Sequence, residues 1–168
     1  MNTAAAILML VGGQAAGAVL PVSQGAWWSV PPEQCVATAA QHYGVDAMVM
    51  QAVLDVEGGK VGECSGNKNG TSDCGPAQVN TVNRKALSKI LGEDRAVIDE
   101  IVAWSPCYNV FIGAWLLRRE IDGAKGNVWE GVGRYHSRTP NLKVAYEKRV
   151  ARAYFRRYMP EVLRQFPQ

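Results

Sequence analysis

The residue with the most chemistry in it is Glu57. It follows Val53 by four positions and Val49 by eight, so it continues the apolar side of a helical segment, while Asp55 falls about 200° around at 100° per residue and faces water. It also stands at the end of that helix, where unpaired carbonyls disfavour a second negative charge. Burial and this dipole both raise the pKa of such a carboxyl and keep it protonated, which is what a general acid needs to protonate a leaving oxygen. An ordinary exposed glutamate at a helix end has the same periodicity, so spacing alone does not single Glu57 out. No Gly-rich phosphate loop, G-x-S-x-G elbow or Cys/His dyad is evident. His42 and His136 are too few and too far apart in sequence to suggest a metal, and no cofactor is implied.

The run Asn67-Lys68-Asn69-Gly70-Thr71-Ser72-Asp73-Cys74-Gly75-Pro76-Ala77-Gln78-Val79-Asn80 resembles the N-x-N-G-x-x-D-x-G-x-x-Q-x-N segment of the lysozyme-like lytic transglycosylases. Within them it is similar to the small exported members associated with type IV secretion, conjugation and pilus systems. The resemblance runs from Cys35 to about Tyr158. Val45 to Glu57 resembles the helix that ends in the family's catalytic glutamate, and Gly75 to Asn80 its G-x-x-Q-x-N turn. Pro106-Cys107-Tyr108-Asn109-Val110 with Gly113-Ala114-Trp115 is similar to the buried helix whose cysteine bridges to the first helix. Gly133-Arg134-Tyr135-His136-Ser137 stands where the family has A-Y-N-x-G. There are three departures: Gly58 replaces the serine that usually follows the glutamate, His136-Ser137 replaces the usual asparagine and its successors, and Cys64 and Cys74 are an addition.

The resemblance implies cleavage of the β-1,4 bond between N-acetylmuramic acid and N-acetylglucosamine in peptidoglycan. Glu57 would act first as acid, then as base toward the muramyl 6-hydroxyl, closing a 1,6-anhydro ring. The implied sugar contacts are Gln78, Asn80, Tyr135 and Tyr146, the last bounding the site near the glutamate. The implied partners are peptidoglycan strands and components of a type IV secretion or conjugation apparatus. Two other functions stay open on the same fold. One is a hydrolytic muramidase in which Asp73 or another carboxylate activates water; the other is a catalytically idle glycan-binding assembly component. Against the first, Asp73 lies between Ser72 and Cys74 just before Gly75, a setting for a loop brace bonding to backbone amides.

The elements that would position these residues are almost all helical. Pro31-Pro32 opens a helix over Glu33 to Tyr43 that Gly44 stops, and Asp46 caps the next, whose core stripe is Val49, Ala52, Val53 and Val56 and whose end is Gly58-Gly59. Asn80 or Thr81 caps a segment to Leu91, and Asp94 opens another toward Val102. Pro106 starts the most apolar helix, with Cys107, Phe111, Ala114 and Trp115 near one face. Asn127-Val128-Trp129-Glu130 has the pattern of a capping box. Thr139-Pro140 starts a last helix with Leu142, Tyr146, Val150 and Tyr154 at four-residue steps, ended by Pro160. The expected fold is mainly α, lysozyme-like, with a short loop or β-hairpin after Gly59.

Four cysteines, at spacings of 29, 10 and 33 residues, lack zinc-ligand spacing and are read as two disulfides among three possible connectivities. Cys64 and Cys74 bracket a polar, Gly-rich loop that would be floppy unless tied, which pairs Cys64 with Cys74 and Cys35 with Cys107. The first 32 residues carry no charged side chain, and Ala4 to Val11 is apolar with small residues up to Ala18. This reads as a secretory signal peptide over 1–18, a linker over 19–32 and the enzyme domain over 33–168, placing the protein in the periplasm. The apolar run is too short and too broken to span a bilayer stably. At 168 residues the chain has room for one core, and a net charge of +3 excludes a dedicated nucleic-acid binder. From Arg134 onward, nine Lys and Arg face only Glu147 and Glu161, a stretch that would favour an anionic surface.

Overall fold

Pro32 supplies the preset φ of a first helical turn, and α1 runs over Pro32–Tyr43. The computed structural model describes residues 29–164, so the expected signal peptide and all but the end of the linker lie outside the described residues. Asp46 accepts hydrogen bonds from the backbone N–H of Met48 and Val49, at 2.7 and 3.0 Å, and so opens α2 (Ala47–Glu57). Three short strands follow, β1 (Cys64–Gly66), β2 (Ser72–Cys74) and β3 (Val79–Asn80), in one antiparallel sheet of order β1-β2-β3. The remaining helices are α3 (Thr81–Leu91), α4 (Arg95–Trp104), α5 (Pro106–Gly123), α6 (Val128–His136), α7 (Pro140–Tyr158) and the short α8 (Pro160–Arg164). The fold is mainly α with a small antiparallel sheet, the class the sequence implies. Among the described residues no helix is long and apolar enough to cross a membrane.

Two compact units share the chain. The first holds residues 29–35 and 59–113. Its core is built from Val79, Leu87, Ile98, Val102, Val110 and Phe111, all at most 3% exposed. Two disulfides lie in this unit, joining Cys35 to Cys107 and Cys64 to Cys74. In the sheet Cys64 is the register partner of Cys74, so the short bridge closes the β1–β2 hairpin across its own ladder. The second unit holds residues 36–58 and 114–164. There α7 packs along both α2 and α6, burying Met50, Val53, Val132, Tyr146 and Val150.

Two details of the last helix differ from expectation. Leu142 is 52% exposed, whereas Tyr146 and Val150 are buried and Tyr154 half-buried. Four residues turn a helix by 400°, so each four-residue step drifts by about 40° and four such positions cannot share one face. Tyr158 is the last residue of α7, and Pro160 begins α8 instead of merely stopping the chain.

Candidate active site

Glu57 is the last residue of α2, and Gly58 follows it in the left-handed conformation at φ 61°, its N–H returning to the Leu54 carbonyl. The helix below it is anchored by Val49, Met50, Ala52, Val53 and Leu54, all buried, which leaves Glu57 half-buried at the edge of that packing. Asp55 takes the other side: Arg157 reaches it with two 2.8 Å hydrogen bonds and Gln51 with one of 3.0 Å. Partial burial pushes the Asp55 carboxyl up, but these hydrogen bonds prevail and hold it below the ordinary carboxylate range.

From α7, Tyr146 donates its hydroxyl to Glu57 Oε1 at 2.5 Å. The ring is 2% exposed. His136, the last residue of α6, stacks on it with centroids 4.8 Å apart and planes within 5°. Arg149, one turn further along α7, brings its guanidinium to 5.8 Å from the ring centroid and donates to the Val56 carbonyl at 3.2 Å. Burial, then the neighbouring Glu57 and Tyr135, drive the Tyr146 phenol far above its ordinary pKa, with Arg149 opposing. The phenol is therefore a locked proton donor aimed at one oxygen of the carboxyl. Of the expected residues, Glu57, Tyr135 and Tyr146 come together in the second unit.

Gln78 and Asn80 belong to the first unit, with Asp73 and the stapled loop. Gln78 has a positive φ of 47°, uncommon for a residue with a side chain, and its Nε2 donates to the Gly75 carbonyl at 2.9 Å. A Cβ on Gly59 would stand 2.1 Å from that same carbonyl and 2.3 Å from Gln78 Nε2, and a Cβ on Gly75 would stand 2.2 Å from Asn109 Nδ2. Only glycine fits at either place. Asn80 Oδ1 caps α3 through Val82 N–H at 2.9 Å, and its Nδ2 donates to Asp73 Oδ1 at 2.7 Å. The other Asp73 oxygen accepts from Asn67 Nδ2 at 2.7 Å. Asp73 thus braces the loop, but through side-chain amides and not through the backbone amides expected, because Asn67 and Asn80 flank it across the turn.

Several residues outside the sequence motifs hold this framework. Asn109 is fully buried on α5, accepting from Ala77 N–H at 2.7 Å and donating to the carbonyls of Cys74 and Val102, each at 2.9 Å. Arg84, 3% exposed, bonds Asp99 at 2.8 Å and the Val79 carbonyl at 2.7 Å, with further bonds to Ser72 and Thr81. The available signal was its spacing, because Arg84 sits three residues before the buried Leu87 on the inward stripe of α3. His136 carries no such signal, since its flat stack on Tyr146 depends on where α6 and α7 meet, and Arg149 has only its position three residues past Tyr146 on the same helix.

No family model matches the chain. It is 26% identical over 125 residues to the Invasion protein IagB of Salmonella typhimurium strains SL1344 and LT2, covering 74% of this chain and 74% of that protein. The Invasion protein IagB of Salmonella typhi matches to the same extent. The similarity is distant.

Proposed function

We propose that this protein is a peptidoglycan lytic transglycosylase that cuts the MurNAc-β-1,4-GlcNAc bond and leaves a 1,6-anhydro-muramyl end. The observation that carries this reading is the hydrogen bond from the buried Tyr146 hydroxyl to Glu57 Oε1. In this reading Glu57 starts protonated and holds the acid proton. From there it passes to the glycosidic oxygen as the bond to the muramyl C1 breaks. The carboxylate left behind removes the proton of the muramyl 6-hydroxyl, and that oxygen closes on C1. Water is neither consumed nor required. The Tyr146 hydroxyl stabilises the charge that appears on Glu57 during the step.

A hydrolase needs a second group to activate water, and paired carboxyls do this in most glycosidases. Asp55 is engaged by Arg157 and Gln51, and Asp73, the carboxylate considered above for activating water, by Asn67 and Asn80. This supports a transglycosylase over a muramidase. Gln78, Asn80 and Tyr135 are proposed as sugar contacts, with Tyr146 as boundary of the site. The signal peptide over 1–18, export to the periplasm and local opening of the wall for a secretion, conjugation or pilus apparatus belong to the same proposal. Both disulfides and the distant similarity to Invasion protein IagB support it.

The test is Glu57→Gln, which keeps shape but carries no transferable proton. General acid–base catalysis is worth roughly 10²–10⁴-fold, so clearing of purified peptidoglycan should fall at least a hundredfold while the protein stays folded. Retention of more than about a tenth of the activity rejects Glu57 as the acid.

A further inference from the structure

A groove of about 500 Å³ opens beside the end of α2, lined by Asp55, Val56, Arg149, Arg152, Arg156 and Arg157 among others. Its wall on α7 repeats arginine at 149, 152 and 156, the spacing of one helix face. Asp55 is the one carboxylate of the lining, and Arg157 occupies it with two hydrogen bonds. Arg149 is turned toward the Val56 carbonyl and the Tyr146 ring. Arg152 and Arg156 are exposed and have no ion pair within the described residues. Four guanidinium groups against one carboxylate make a concave anion receptor, and Arg149 ties its edge to the Tyr146–Glu57 pair. Guanidinium favours planar, bidentate oxyanions such as carboxylates.

We propose that this arginine groove binds the carboxylates of the peptide stems on the muramyl residues, making the protein selective for stem-bearing over stem-free glycan. The inference rests on the activity proposed above. The sugar backbone of the substrate is uncharged, so its anionic groups are those of the stems. An extended tetrapeptide spans roughly 13 Å, enough for a stem leaving a muramyl unit near Glu57 to reach a groove whose Arg149 lies against the Tyr146 ring.

The experiment compares kcat/KM on purified peptidoglycan and on the same glycan stripped of stems by an amidase, with the lactyl carboxylates freed by that hydrolysis capped as methyl amides, for the native chain and for the double variant Arg152→Gln/Arg156→Gln. The native chain should prefer the stem-bearing substrate, and the double variant should lose roughly five- to tenfold of that preference, with the Arg→Lys pair recovering part of it. Both residues are exposed, so thermal unfolding should not change. An unchanged ratio, or equal loss on both substrates, overturns the inference while leaving the activity standing. Cleavage of neither substrate by the native chain overturns the activity and the inference with it. An unchanged ratio together with arginine-dependent binding to vesicles of anionic phospholipid assigns the groove to a membrane surface instead, and also overturns it.

Discussion

In the proposed mechanism Tyr146 tunes Glu57, because its buried hydroxyl donates to the carboxyl oxygen 2.5 Å away. Removing that hydroxyl in Tyr146→Phe leaves the ring, its stack on His136 and its contact with Arg149 in place. A hydrogen bond to a charged group is worth about 1.5–3 kcal/mol, so kcat on peptidoglycan should fall roughly ten- to a hundredfold with little change in thermal stability. A Phe variant that turns over at the native rate would show that the bond is structural only. The sequence placed Glu57 on the inner side of its helix, since period and helix end can be read from spacing alone. It did not show that His136, which stands where the resembling family has asparagine, would lie flat on the tyrosine. Stacking of that kind depends on a helix crossing, and helix crossings leave no mark in a single sequence.

The helices were legible wherever a cap or a breaker punctuates the chain. Asp46, Asn80, Asp94 and Asn127 each accept the first free N–H groups of the helix they precede. The small sheet was legible as a hairpin, but its third strand was not. Val79–Asn80 pairs with Asp73 and Cys74 only because the Gly75–Gln78 turn reverses the chain, and a two-residue strand has no periodicity to detect. That turn depends on Asn109, whose side chain satisfies three backbone groups at once. Asn109→Ala would leave one buried N–H and two buried carbonyls short of partners. At about 1–3 kcal/mol per unsatisfied group, reduced by relaxation, the expected loss is about 3–5 kcal/mol. Chemical denaturation would measure it, and a loss under about 1 kcal/mol would mean that water or a shifted backbone replaces the amide.

Across the whole chain, the near-neutral balance of +3 hides a basic stretch from Arg134 onward, four of whose arginines line one groove. Composition revealed the excess charge but not its convergence, since Arg149, Arg152 and Arg156 share a face with Asp55 only once α7 lies against α2. In the proposed reaction one carboxyl, Glu57, transfers the bond to the substrate's own hydroxyl, and mass spectrometry of the soluble fragments released from purified peptidoglycan reads the outcome. Ring closure by the muramyl 6-hydroxyl yields muropeptides ending in 1,6-anhydro-muramic acid, each lighter by one water than the corresponding hydrolysis product. A digest made mainly of reducing-end muropeptides would contradict it and identify a hydrolytic muramidase.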